Sequence, residues 1–247
     1  MSLCCAVINN VNYLSVLRVW KSVQRKLKTM QIGGNQQNNR QNIEHVNQFT
    51  YLGSIFTEDD DVTTDVNCRL GKAAAVFQRM RSIWTSSVVS SSIKIWLYNA
   101  IVLSVATYAC DAWKITAKIA QKLNVFHQRC PCKQLDIIYL DHITYTNQEV
   151  LKRAGSTRLQ DIVAERRFHL ADRILRLPDH RHSKTAMRWT PAGGTRRRGR
   201  PKKTWRRTFQ EDLGRVHLTW NEAVDMASDR SYWRQAAAQC ALQHGRN

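Results

Sequence analysis

The chain has 247 residues and a formal net charge of +19, since 38 residues are lysine or arginine and 19 are aspartate or glutamate. A hydrophobic content of 43% supports a folded core and excludes a wholly disordered chain. There is no apolar run long enough for an ordinary membrane span, and the seven scattered cysteines imply no disulfide framework. The charge predicts a nucleic-acid partner, with no membrane and no small-molecule substrate.

The first quarter of the chain is weakly patterned. Residues 1–25 form a lead-in without a clear signal. Aromatic and β-branched residues in segments 43–46 and 49–53 then predict a small β-hairpin near residues 43–56. The acidic residues 58–61 could hold a divalent metal ion, but no strand and turn would present them together. We therefore interpret them as charge at the start of the next helix.

Helical periodicity dominates the middle of the chain and predicts a mainly α fold. One predicted helix spans Val66 to Trp84. A second has one side formed by Ile93, Trp96, Leu97, Ala100, Ile101 and Tyr108. We interpret most of these aromatic residues as core. A third helix places Ile119, Leu123, Phe126 and Cys130 on one face, and Pro131 is expected to end it.

Further helices are predicted towards the C-terminus. A short helix begins near Asn147 and is closed by Gly155, and a longer one spans 158–177. Trp205, Phe209 and Leu213 share a helical face, Thr219–Glu222 matches a capping box, and Asp229 is placed to cap the last helix.

Two patterns could carry catalytic or metal chemistry. His127, Cys130 and Cys132 invite a zinc site, but no second pair of ligands lies nearby, and a structural zinc needs about four. Ser156, His169 and Asp172 could be written as a nucleophile triad, but nothing places the serine on a sharp turn or supplies an oxyanion hole. We predict no catalytic residue, no metal ligand and no cofactor.

The most basic stretch is Thr195–Arg207, in which eight of thirteen residues are lysine or arginine and none is acidic. Such a segment is solvated until a polyanion neutralises it. Residues 198–201 (Arg-Gly-Arg-Pro) resemble an AT-hook, whose arginines enter the A·T minor groove, and they fit a nuclear-localisation signal equally well. The predicted nucleic-acid contacts are Arg196, Arg197, Arg198, Arg200, Lys202, Lys203, Arg206 and Arg207, together with Arg166 and Arg167 of the preceding helix.

A series of short motifs extends over most of the chain, at about residues 26–240. In this order they resemble the carboxy-terminal part of LINE-type (non-LTR) retrotransposon reverse transcriptases, the region that follows the catalytic palm. The motifs are Val46–Ser54, Leu70–Ala73, Leu97–Ala100, Tyr108 with Trp113, Phe126–Cys130, Asp141–Thr144, Glu149–Arg153, Arg166–Arg167, Leu175–Pro178, Arg197–Lys202 with Thr204–Trp205, and Asp229–Arg230 with Trp233–Arg234.

The resemblance implies a domain order. Residues 26–57 correspond to the end of the palm, 58–135 to a thumb-like helical unit that grips template and primer, and 136–180 to a helical extension. Residues 181–207 would be a basic linker that binds element RNA or target DNA, and 208–247 a helical tail. The protein would work in the nucleus, or in a cytoplasmic ribonucleoprotein before import.

The chain departs from the family pattern at several points. The polymerase site of that family needs an aromatic-x-Asp-Asp hairpin upstream of Val46–Ser54, and Mg²⁺ is implied only for a full-length polymerase. Cys130–Cys132 stands where the family continues with Leu-Arg, and Ala171–Arg173 replaces a usual Gly-His pair. We therefore expect a truncated reverse-transcriptase remnant that binds nucleic acid but is inactive by itself. The alternatives are a domesticated nuclear DNA-binding protein and a fragment of an active RNA-directed DNA polymerase.

Overall fold

The computed structural model describes residues 14–17, 28–31, 44–59, 61–134, 146–188 and 203–242. It is mostly helical, which confirms the predicted fold class. The strands are β1 (Leu14–Leu17), β2 (Lys28–Gln31), β3 (Glu44–His45), β4 (Gln48–Tyr51) and β5 (Ser54–Thr57). The helices are α1 (Thr63–Arg79), α2 (Arg81–Thr85), α3 (Ser91–Leu97), α4 (Ser104–Ala106), α5 (Ala117–Gln134), α6 (Asn147–Arg153), α7 (Leu159–Leu175), α8 (His182–Arg188), α9 (Trp205–Arg215), α10 (Trp220–Met226) and α11 (Arg230–Leu242). No helix within these ranges is both long and apolar enough to cross a membrane.

The predicted hairpin is present, but its pairing differs from the prediction. Strand β4 pairs antiparallel with β5, with Tyr51 opposite Ser54. The intervening Leu52 and Gly53 both have positive φ (48° and 81°), as a tight two-residue hairpin turn requires. Segment 43–46 is not the partner of this strand: β3 within it pairs in parallel with β2, which pairs antiparallel with β1. Sequence analysis missed β1 and β2.

The β4–β5 hairpin is attached to α1 through polar contacts. Asp65, buried in the first turn of α1, accepts a hydrogen bond from the Ile55 amide at 3.0 Å. Arg69, one turn later, donates to the Gly53 carbonyl and lies over the ring of Tyr108, 4.2 Å from its centroid. A buried carboxylate and guanidinium are stable only when they are hydrogen-bonded, so these contacts fix the hairpin against the helix.

The helix predicted to end at Pro131 continues past it. Helix α5 includes Pro131 and ends at Gln134. Proline lacks the N–H that would bond the carbonyl four residues earlier. Because Pro131 lies in the last turns of α5, the loss is confined to the helix end.

The second predicted helix consists of α3, a π-helical segment (Tyr98–Leu103) and α4. Most of the predicted apolar side is exposed, with Trp96 exposed by 66%, whereas Leu97 is partly buried against the core. A π-helical turn contains more residues than an α-helical turn, so it rotates Ile101 and Tyr108, which lie within or after it, relative to the α-helical pattern. Ile93 and Trp96 precede this segment, and it does not explain their exposure. The buried side chains here include Tyr98, Val102, Leu103 and Ala106.

The C-terminal helices pack around α7. Trp205, Phe209 and Leu213 are buried on one side of α9, as predicted, and share a hydrophobic cluster with Phe168 and Trp233. The capping box of α10 is formed by Thr219 and Glu222. Asp229 accepts hydrogen bonds from the Ser231 and Tyr232 amides, which confirms its predicted capping role.

The turn at residues 107–113 joins the two halves of the fold. The Trp113 indole donates to Asp65 at 2.8 Å, and the Trp113 carbonyl accepts from Arg167 of α7 at 3.3 Å. The Trp205 indole, at the start of α9, donates to the Asp111 carbonyl at 2.7 Å. Helices α1, α7 and α9 therefore meet at one turn.

Arg167 also forms a buried ion pair with Asp212 of α9, and both side chains are nearly inaccessible to solvent. Removing one member of a buried pair leaves an uncompensated charge, which costs about 3–5 kcal/mol, whereas replacing both can be neutral.

We expect Arg167→Met to lower the free energy of unfolding by about 3 kcal/mol and Arg167→Met/Asp212→Leu to recover most of that loss. Chemical denaturation measures both. Arg153→Met serves as a control, because its ion pair with Glu149 is roughly half exposed and is worth at most about 1 kcal/mol. A loss in Arg167→Met no larger than in this control would contradict the prediction.

Candidate nucleic-acid interface

The predicted interface is only partly within the described residues. Arg196, Arg197, Arg198, Arg200 and Lys202 lie outside them. Those that the structure places are Lys203, Arg206, Arg207, Arg166 and Arg167.

The basic stretch enters the described fold at the start of α9. Thr204 caps this helix, because its hydroxyl accepts a hydrogen bond from the Arg207 amide at 3.2 Å. Trp205 is buried and bonded to the 107–113 turn. The Thr204 cap and the buried Trp205 together fix the start of α9. They therefore determine where the last cations of the stretch lie on the surface.

Two of the three cations at the start of α9 form partly exposed ion pairs. Lys203 and Arg207 approach the Glu211 carboxylate at 2.6 and 3.9 Å, in pairs that remain partly exposed. The Arg206 guanidinium lies 4.9 Å from the centroid of the Trp220 ring. Exposed ion pairs contribute about 0–1 kcal/mol, so a phosphate can compete for Lys203 and Arg207 at little cost.

Arg166 lies on the exposed side of α7 and donates to the Thr107 carbonyl at 3.2 Å. That carbonyl belongs to the turn that Trp205 also contacts. Arg166 is therefore near the start of α9, although the two are about forty residues apart in sequence.

Arg173 is a cation in this region that sequence analysis left out of the site. Burial raises the pKa of the Asp111 carboxyl, and the positive charges of Arg166 and Arg173 oppose that rise. Both arginines are thus close to Asp111. The sequence could have indicated Arg173, because it lies seven residues after Arg166 and residues seven apart lie on the same side of a helix.

Arg167 belongs to the core. Arg167 is 1% exposed, and its guanidinium donates hydrogen bonds to the Asp212 carboxylate and to the Trp113 carbonyl. It follows Val163 and precedes Leu170 and Ile174 at helical spacing, and that apolar stripe could have revealed its burial. No surface of Arg167 is open to a phosphate, so we leave it out of the interface.

His127 is buried, and both of its ring nitrogens have partners. Nδ1 lies 2.7 Å from the Tyr98 hydroxyl, and Nε2 lies 3.0 Å from the Ser156 hydroxyl. Burial lowers the pKa of His127 to about 4 and raises that of the Cys130 thiol to about 12. Across the part of the chain that the structure describes, no three His, Cys, Asp or Glu side chains are grouped so as to hold a metal.

The other residues that sequence analysis considered for catalysis or metal binding also have partners in the structure. Ser156 contacts His127, His169 lies 3.9 Å from Glu165, and Asp172 pairs with Arg176 at 2.5 Å. The triad written from the sequence is thus divided among three separate pairs. In the acidic run, Asp61 accepts a hydrogen bond from the Thr63 amide at 2.9 Å, in keeping with charge at the start of a helix.

Comparison with known proteins gives a distant relative. The chain is 21% identical over 203 residues to a Caenorhabditis elegans protein described as uncharacterized and transposon-derived, and the match covers 77% of this chain and 70% of the relative. No protein-family model matches the sequence, and no solved structure does. The similarity supports a transposon origin.

The buried His127 predicts a pH dependence of stability. Its pKa is about 4 in the folded state against 6.5 ordinarily, so the unfolded chain takes up a proton first as the pH falls. Its contribution to stability is complete above pH 6.5 and is lost towards pH 4. Between about pH 7.5 and 5 the loss amounts to about 2 kcal/mol.

The comparison of variants isolates this effect. Burial raises the pKa of Asp161 to about 6, so this carboxyl changes stability in the opposite direction as the pH falls. Because every protein tested contains Asp161, its effect is common to all of them. His127→Gln should show about 2 kcal/mol less acid destabilisation than wild type in denaturant unfolding at the two pH values. His169→Gln, which changes an exposed histidine, should behave as wild type. Equal pH dependence in wild type and His127→Gln would refute the assignment.

Proposed function

We propose that this protein binds the nucleic-acid backbone through the basic stretch Thr195–Arg207. The observation that carries the proposal is the charge of that stretch, in which eight of thirteen residues are cationic and none is acidic. Lysine and arginine that neutralise phosphates release condensed counterions, which provides affinity without sequence specificity.

The surroundings of the stretch support the proposal. Its last three cations begin α9, held by the Thr204 cap and the buried Trp205. Arg166 and Arg173 of α7 lie by the same turn. A polyanion that contacts Lys203, Arg206 and Arg207 would thus meet further positive charge on a rigid helix.

We also propose that the chain derives from a LINE-type retrotransposon and corresponds to the region after the palm of its reverse transcriptase. The order of the motifs supports this origin, and the transposon-derived relative agrees with it. In this proposal the basic stretch binds element RNA or target DNA, in the nucleus or in a ribonucleoprotein.

Neutralising Arg196, Arg197, Arg198 and Arg200 to glutamine should weaken binding and reduce its salt dependence. Four lost phosphate contacts reduce the slope of log K against log salt by about 3 for a single strand and by about 3.6 for a duplex. A filter-binding titration over a range of salt concentrations measures the slope.

The matched control neutralises four exposed cations elsewhere, namely Lys72, Arg79, Arg81 and Lys118. It has the same net charge as the test variant, so a general effect of charge would appear in both. An unchanged slope in the test variant, or equal changes in the two, would rule out the basic stretch as the binding site.

The Arg-Gly-Arg-Pro sequence at 198–201 favours one further candidate, a nuclear DNA-binding function of AT-hook type. Arginines in a narrow A·T minor groove benefit from its enhanced negative potential. Competition between A·T-rich duplex, mixed-sequence duplex and RNA tests this candidate. A preference for the A·T-rich duplex would support it, and equal competition would leave backbone binding alone.

A further inference from the structure

A cleft of about 870 Å³ lies between α5, α6 and the start of α7, away from the cations assigned above. It is cationic: Arg129 and Lys133 line it from α5, Lys152 from α6, and Arg158 at the N-cap of α7. Arg129, Lys133 and Lys152 are exposed. Among the described lining residues, Asp161 carries the acidic group.

Asp161 offsets part of the positive charge of the cleft, because Arg158 lies close enough to lower its pKa. Asp161 is almost fully buried, and burial raises its pKa to about 6. It also lies 3.9 Å from the Arg215 guanidinium. A cleft with an excess of one charge and low-dielectric walls concentrates its field on a ligand of the opposite sign.

The remaining polar lining is rich in side-chain amides. Gln121 and Gln128 contribute from α5, and Asn147 and Gln148 from α6. An amide both donates and accepts hydrogen bonds, which suits base edges and the ribose hydroxyl.

The floor of the cleft is rigid. Ser156 and His127 line it, and the Ser156 hydroxyl is 3.0 Å from His127 Nε2. The other ring nitrogen, Nδ1, contacts the Tyr98 hydroxyl. Burial raises the pKa of that hydroxyl and keeps it protonated. The Ser156 hydroxyl also donates to the Thr157 carbonyl at 3.4 Å.

We propose that this cleft binds a single-stranded stretch of polynucleotide, with the four cations on phosphates and the amides on base edges or ribose. The dimensions select a single strand: the volume is that of a small-molecule site, and a duplex with a major groove about 12 Å wide does not fit inside. In a duplex the Watson–Crick edges are also already paired. This inference rests on the proposed nucleic-acid binding and adds a second site with its own selectivity.

The test variant is Arg129→Gln/Lys133→Gln/Lys152→Gln, and Lys72→Gln/Arg79→Gln/Arg81→Gln is the control of equal charge. All six side chains are exposed, and thermal unfolding verifies that both variants are folded. Fluorescence anisotropy over a range of salt concentrations is measured with three probes: a single-stranded RNA, the DNA strand of the same sequence, and the corresponding DNA duplex.

We expect the cleft variant to bind the single strands about tenfold more weakly, with a salt slope reduced by about 2, since each lost contact on a single strand contributes about 0.7. Duplex binding should change no more than in the control. The RNA and DNA arms show which strand the cleft prefers, and a loss in either arm supports the inference.

Two results would overturn the inference: single-strand binding equal to that of the control, or an equal loss for strand and duplex. The four-arginine variant of the basic stretch, titrated with the same probes, keeps the two proposals separate. If it retains the wild-type slope while the cleft variant loses strand binding, the proposed role of the stretch fails and the cleft remains.

Discussion

The fold depends on how the turn at residues 107–113 satisfies buried polar groups. The indole and carbonyl of Trp113 connect Asp65 of α1 to Arg167 of α7, and Arg167 in turn holds Asp212 of α9. Each of these charged groups is stable in the interior only because the others are in place. This network therefore selects one arrangement of the helices in addition to holding them together.

The same network sets the geometry of the proposed nucleic-acid interface. Because Arg167 is committed to the core, Arg166 and Arg173 face outward on the other side of α7. Trp205 bonds to the Asp111 carbonyl, which places the first cations of α9 by the same turn. In the proposed interface, the cations of α7 and α9 stand on fixed helices, which would give a bound strand a direction across the surface. The proposed cleft, between α5, α6 and the start of α7, provides a second positively charged region.

Predictions that depend on short-range contacts agreed with the structure. The capping box at Thr219–Glu222 and the apolar face of α9 involve residues within a few turns of one another, so the chain near them suffices to define them. Predictions that depended on distant partners did not. The strand that pairs with β4 was misassigned, and the exposure of Ile101 and Tyr108 was missed, because a π-helical segment rotates the side chains within and after it relative to an α-helical pattern.

By itself, the sequence determined the helical class, most helix positions and the cationic character of the stretch 195–207. These follow from local periodicity, capping and charge, which act without regard to the rest of the chain. Only the tertiary structure decided which arginines of α7 are exposed and that α5, α6 and α7 enclose a cationic cleft. Burial and enclosure are properties of residues far apart in sequence: Arg167 and Asp212 are separated by 45 positions, and no local pattern specifies their meeting.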